Sequence, residues 1–327
     1  MMSIPLNKKL DGFEIVQHDY KHIGDHGIRV DILTPKTTYV GPRPLIVRIH
    51  GGGLMMGDSF FMDWWPQWIS DLALQKEAVI VSPNYRLLPE ATGADIYTDV
   101  EDFWIWLHSA EFLNLLANQT TPTTVDLNRI LISGESAGGL ISIYLSLAHP
   151  TDIRSAAIAY PFVDPSSEAF SSPRAVPPFN NSVPEHVVQK NMKTAALDTP
   201  KSSISTPDSL SFMLAAVQHG AITGMYERGS KDVPREVLYP MARLEQPCFN
   251  IPQGGIAIIH GRQDSVVPLG DVEKFIFRAK EVTKGLPENE KIILTVRDGE
   301  HGFDAATSYD EPWLKKAIKS AVDAWLE

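Results

Sequence analysis

The sequence has 327 residues, 43% of them hydrophobic, and a formal net charge of −11 from 40 acidic against 29 basic side chains. That length and apolar share allow a large core, while the acidic balance disfavours nucleic acid as a partner and suits an uncharged ester or acyl substrate. The single cysteine, Cys248, cannot close an internal disulfide; no run approaches the ~20 apolar residues of a membrane span, and the first 11 residues lead into no signal-peptide core, so a cytoplasmic protein is expected.

Residues 13–18 and 28–33 alternate apolar and polar side chains, as an antiparallel pair at a sheet edge would. The runs 44–49, 78–81, 130–133, 156–160, 256–260 and 292–296 are continuous rather than alternating in their apolar residues, as strands covered on both faces are. Between them come helical spacings: Ile96, Val100, Phe103, Trp104 and Leu107; Ala137, Leu140, Ile141, Tyr144 and Leu145; and later Leu314, Ile318, Ala321, Val322 and Trp325. The alternation predicts an α/β fold, a mostly parallel sheet with helices on both faces. Residues 161–247 interrupt the rhythm. They hold 11 of the chain's 24 prolines and no strand pattern, with one helical stripe at Leu210, Met213, Leu214 and Val217. Such an insertion reads as a cap over about 161–250 of one domain spanning 1–327, joined by the N-terminal segment 1–25.

The strongest chemical signal is Gly134-Glu135-Ser136-Ala137-Gly138-Gly139, between an apolar run and a helical pattern. A serine on a sharp strand-to-helix turn needs small neighbours where backbones approach. The helix start also supplies a partial positive charge for a developing oxyanion. A second signal is His50-Gly51-Gly52-Gly53, directly after Leu45–Ile49. Three consecutive glycines are costly in backbone entropy, and their use is to offer bare N–H groups to a reacting oxygen alongside that of Ala137. A plain glycine turn is the competing explanation of the loop taken alone.

Of ten histidines, His301 in Gly299-Glu300-His301-Gly302-Phe303 is the best base, because it follows the last strand in a glycine-flanked loop. His260, which ends a strand, is its main rival, and His50 is expected to hold its own glycine loop. Asp264, four residues beyond His260, is the acid, because carboxyl ends of neighbouring strands share one crevice. The chain order Ser136, Asp264, His301 is that of α/β-hydrolases. Asp298, Glu300 and Asp304 lie nearer the base in sequence but share its loop. Leu54, Met55 and Phe303 are expected to contact substrate. The aromatic segment 60–68 either lines the pocket or packs a helix on the sheet.

Taken together, His50-Gly51-Gly52-Gly53, Asn84-Tyr85-Arg86-Leu87-Leu88-Pro89-Glu90, the Ser136 elbow, Asp264 and His301 resemble the hormone-sensitive-lipase-like esterases of the α/β-hydrolase superfamily. The resemblance covers about residues 43–325. It implies a carboxylesterase with a cap over the acyl pocket, oxyanion donors at Gly52, Gly53 and Ala137, and a supporting role for Tyr85-Arg86. Two positions depart from that pattern: Glu135 stands where aspartate is usual, and Asp264 is followed by Ser265-Val266-Val267-Pro268 rather than by proline directly. No cofactor or metal is expected, since the chain has no His-Glu-x-x-His helix and no cysteine cluster. The same residues would also serve a lactonase, an amidase or an acyl transferase, and the fold could carry an inactive ligand-binding module. A homodimer is left open.

Overall fold

The computed structural model describes residues 6–197, 199–247 and 249–327; Cys248 lies outside them. Strand β1 (Phe13–Ile23) pairs antiparallel with β2 (His26–Pro35), and β2 antiparallel with β4 (Val79–Pro83). From there the sheet is parallel: β4, β3 (Arg43–Ile49), β5 (Val125–Glu135), β6 (Ile153–Ala159), β7 (Ile256–Gly261) and β8 (Ile292–Arg297). The α/β fold class read from the patterning is the one observed.

The continuous apolar runs are explained by two cores, one on each face. Successive residues of a strand point to opposite sides. Leu45, Val47 and Ile49 therefore enter one cluster with Val79, Val81, Ile130, Ile132, Ile256 and Ile258. Ile46, Ile80, Leu131, Ala157 and Ile259 enter the other. Helices α2 (Gly93–Leu107), α3 (Ala110–Ala117), α4 (Ala137–Ala148) and α11 (Leu269–Val282) cover the first face. Helices α1 (Gln67–Lys76) and α12 (Pro312–Leu326) cover the second. The stripe on α12 is Leu314, Ala317, Ile318, Ala321, Val322 and Trp325, all buried. Each large side chain there contributes about 1.5–3 kcal/mol relative to exposure.

The stretch between β6 and β7 is helical and irregular. It carries α5 (Glu168–Ser171), α6 (His186–Thr194), α7 (Pro207–Gln218), α8 (Ile222–Tyr226), α9 (Arg235–Leu238) and α10 (Pro240–Leu244). The Leu210–Val217 stripe becomes α7, which starts at a Thr206–Ser209 capping box with proline in its first turn. The stretch is anchored to the loop after β3 by an isolated antiparallel bridge between Gly57 and Ile204, with N–O distances of 2.6 and 3.0 Å. Ser203 Oγ also donates to Asp58 at 2.5 Å. Of the N-terminal segment expected to join the cap, residues 1–5 lie outside the described residues and most of the rest forms β1. Phe13–Ile23 alternates half-buried and exposed residues along the sheet edge, with Phe13 and Tyr20 buried, and its period-two pattern is satisfied by pairing with β2. Among the described residues no helix is long and apolar enough to cross a membrane.

Candidate active site

The β5–α4 turn is forced by its glycines. Ser136 has φ 56° and ψ −119°, a conformation unfavourable for a residue with a Cβ. A Cβ on Gly134 would lie 2.4 Å from the Gly138 carbonyl oxygen, and one on Gly138 would lie 2.1 Å from that of Ile49. The strain is held by long-range bonds. Ser136 N–H donates to the Ala159 carbonyl at 3.0 Å, and the Ser136 carbonyl accepts from Phe162 N–H at 2.9 Å. Ala137 opens α4, so its N–H has no acceptor within the helix.

The glycine loop lies beside this turn. Gly52, Gly53 and Leu54 have φ of 115°, 63° and 63°. A Cβ on Gly52 would meet the Met56 carbonyl oxygen at 2.0 Å, and one on Gly53 would meet Met213 Cγ of α7 at 2.8 Å. The N–H groups of Gly52 and Gly53 donate to no acceptor among the described residues. His50 does hold the loop. Its ring stacks on Tyr85 with centroids 4.4 Å apart, its Nδ1 lies 2.7 Å from the Gly51 carbonyl, and Tyr85 O–H donates to the His50 carbonyl at 2.8 Å. Burial pushes the His50 pKa down to about 4, so the ring stays neutral.

His301 and Asp264 meet across the loops that follow β8 and β7. His301 Nδ1 is 2.8 Å from Asp264 Oδ2. Asp264 Oδ1 accepts the N–H groups of Val266 and Val267 at 2.9 and 2.8 Å, and the carboxylate is fully buried. The rival His260 is also buried. Its Nε2 lies 3.1 Å from the Val267 carbonyl, and burial lowers its pKa, so it acts as a neutral prop under the acid loop.

Beneath the serine lies a polar cluster. The Glu135 carboxylate pairs with Arg48, whose guanidinium also donates to the Ser59 carbonyl at 3.1 Å and sits 4.6 Å over the Trp65 ring. Burial outweighs this cation and pushes Glu135 up to about 7. Asp304 is fully buried, accepting Trp68 Nε1–H and Tyr160 O–H at 2.8 Å each. Desolvation raises its pKa. The Tyr160 ring lies 4.6 Å from that of His301.

Ser136 and His301 open into one cavity of about 410 Å³. Its wall is built by Phe162, Phe170, Met213, Leu214, Val217 and Ile222 from the helical stretch, with Trp64, Asp63 and the glycine loop opposite. The structure thus brings together Ser136, His301, Gly52 and Gly53 at the cavity, with Asp264 behind His301. It does not bring Leu54, Met55 or Phe303 there. Leu54 turns into the core, and its carbonyl accepts Leu88 N–H at 2.8 Å. Met55 is buried beside it. Phe303 packs against Tyr160, Trp313 and the second core. The aromatic segment divides, since Trp64 lines the cavity while Trp65 and Trp68 fill the second core. Among the described residues no cluster of three or more His, Cys, Asp or Glu side chains could hold a metal.

A family model described as alpha/beta hydrolase fold matches residues 46–217, which run from β3 through α7. The chain belongs to the α/β-hydrolase fold family. It is 28% identical to the probable carboxylesterase M8 of Phoma sp. over 99% of this chain and all of that one. It is 32% identical to the probable carboxylesterase clz11 of Cochliobolus lunatus, over 58% of this chain and 86% of that one. Within the α/β-hydrolases these relatives make it a hydrolase of the carboxylesterase type, of the hormone-sensitive-lipase-like kind, acting in ester hydrolysis. The fold likeness extends to the butyrate-bound esterase Est2 of Thermogutta terrifontis, with a TM-score of 0.56, 16% identity, and coverage of 97% of this chain and 94% of that one.

Proposed function

We propose that this α/β-hydrolase cleaves small to medium acyl esters through a covalent acyl-enzyme, with Ser136 as nucleophile, His301 as base and Asp264 as acid. The observation that carries the reading is the 2.8 Å contact from His301 Nδ1 to a fully buried Asp264, at a cavity shared with the strained Ser136. A carboxylate at Nδ1 keeps the proton there and leaves Nε2 free to accept another. Ser136 Oγ attacks the ester carbon as its proton passes to His301 Nε2. The carbonyl oxygen becomes an oxyanion and takes hydrogen bonds from Gly52, Gly53 and Ala137 N–H. The intermediate collapses, His301 returns the proton to the leaving alkoxide, and an alcohol departs. Water, deprotonated by His301, then attacks the acyl carbon and releases acid and Ser136.

The stretch 161–250 serves as a cap that limits the acyl chain, because Phe162, Phe170 and the α7 side chains close one end of the cavity. Its test is a series of dissolved esters of rising chain length set against emulsified long-chain triglyceride. Faster turnover of the emulsion would overturn the size assignment. The mechanism is tested by a fluorophosphonate probe. Ser136→Ala should lose labelling and at least ~10³-fold in kcat while remaining folded. Labelling that survives in that variant would show the nucleophile to be another residue.

A further inference from the structure

We infer that Glu300 is a positioning residue that locks the base to the acid, acting through two backbone bonds to one carboxylate oxygen. The inference rests on the reading of Ser136, Asp264 and His301 as a triad. Glu300 Oε1 accepts Ser265 N–H at 2.6 Å and His301 N–H at 2.8 Å. One of these donors directly follows the acid, and the other belongs to the base itself.

The two loops are stitched together as far as Gln263. Arg262 N–H donates to the Arg297 carbonyl at 2.7 Å, Gln263 N–H to the Gly299 carbonyl at 3.0 Å, and Gly299 N–H to Gln263 Oε1 at 2.6 Å. Beyond Gln263 the Glu300 side chain takes over the bridging, at the residues that must meet. Ser265 is in turn fixed from the helical stretch: its Oγ accepts Phe179 N–H at 2.7 Å and its carbonyl accepts Arg174 Nη1–H at 2.9 Å. Glu300 therefore refers His301 to a loop that is itself clamped. A shift of about 1 Å in such a pair can cost ~10²-fold in rate, so two bonds at this point are sufficient to govern the chemistry. Neither bond requires the negative charge; both require an acceptor oxygen at the end of a side chain of this length.

The experiment compares E300Q, E300D and E300A with the unmodified enzyme and with D264N. The amide oxygen of E300Q can accept both N–H groups, so kcat should stay within about threefold of the unmodified value. E300D keeps the charge but falls one methylene short, and E300A removes the acceptor. Both should lose about 10- to 100-fold in kcat with KM changed less than about threefold. The downfield Nδ1 proton resonance of the His301–Asp264 bond should persist in E300Q and broaden in the other two. Denaturant midpoints establish that each variant is folded, and the charged E300D keeps the test open should E300A unfold. Unimpaired E300A or E300D, or an E300Q as impaired as E300D, would overturn the role assigned to Glu300. A crippled D264N beside an unimpaired E300A would strike Glu300 alone, whereas a mild D264N would strike the triad reading beneath it.

Discussion

Replacing Asp264 by asparagine removes a charge while nearly preserving volume, and the local hydrogen bonds dictate how the new amide sits. Asp264 Oδ1 accepts two backbone N–H groups, from Val266 and Val267, at 2.9 and 2.8 Å. An NH₂ group turned toward those donors would leave both unsatisfied in a buried place, at about 1–3 kcal/mol each. The D264N amide oxygen therefore stays with Val266 and Val267, and its NH₂ faces His301 Nδ1. A donor at Nδ1 holds the imidazole proton on Nε2, the atom that accepts the Ser136 proton in the proposed mechanism. The variant also loses the charge that stabilises the imidazolium. Together these should lower kcat by about 10²–10⁴-fold, or roughly 3–5 kcal/mol of barrier, with KM little changed. Initial rates on a dissolved ester, with denaturant melts as a folding control, measure this. Asp298, largely exposed beside Arg262, should give less than about tenfold on substitution by asparagine. Asp304 accepts from both Trp68 and Tyr160, and one amide oxygen cannot serve both. D304N should therefore cost about 1–3 kcal/mol of stability but less than about tenfold in kcat. A crippled D304N beside a mild D264N would refute the assignment of the acid.

Gly52→Ala would bring a Cβ to 2.0 Å from the Met56 carbonyl oxygen at a φ of 115°; the loop must shift, and kcat should fall about 10²–10³-fold as an oxyanion donor is displaced. An unimpaired G52A in the ester assay would remove Gly52 from the oxyanion site. Glu135 predicts a pH dependence of stability. Its folded pKa of about 7 lies above the ordinary carboxylate value, so between about 4.5 and 7 the folded state binds more protons than the unfolded one. Stability from this group is thus fully present at low pH and is lost as pH rises through about 7. E135Q carries a constant penalty at Arg48 but no such titration, so its stability relative to the unmodified protein should improve by up to roughly 3 kcal/mol from pH 4.5 to 8. Denaturant unfolding at several pH values that gave a constant difference would contradict this.

Much of the fold could be read from local pattern because strands β3, β4, β6 and β7 are buried on both sides, which leaves runs such as 78–81 and 256–259 apolar without alternation. The elbow was equally legible, since Gly134 and Gly138 are required by backbone contacts within a few residues of Ser136. Asp264 and His301 were legible for a different reason: both follow neighbouring parallel strands, and their register carries them to one crevice. Helices α1, α3 and α11 are not legible in the sequence. On α11 only Asp271, Val272, Phe275 and Ala279 are buried, a thin stripe on an otherwise charged segment.

Leu54 and Met55, expected to contact substrate, lie outside the cavity lining for a reason that also explains where that lining comes from. Leu54 and Met55 directly follow the glycine loop in sequence. Positive φ at Gly52, Gly53 and Leu54 turns the chain back on itself, so the residues that follow enter the core and leave only backbone facing the cavity. A loop that presents bare N–H groups must send its next side chains elsewhere. Side chains for the wall then have to come from a distant part of the chain, here Phe162, Phe170 and α7. Phe162 is placed by its N–H bond to the Ser136 carbonyl, and the helical stretch is docked by the Gly57–Ile204 bridge, the Ser203–Asp58 bond and the bonds of Arg174 and Phe179 to Ser265. No local periodicity encodes such docking. Glu300 belongs to the same class: a glutamate beside a histidine is unremarkable in sequence, and its significance lies in the Ser265 N–H that the fold delivers to it. The chemistry at this site is thus written locally, whereas its pocket and its alignment depend on contacts between segments far apart in the chain.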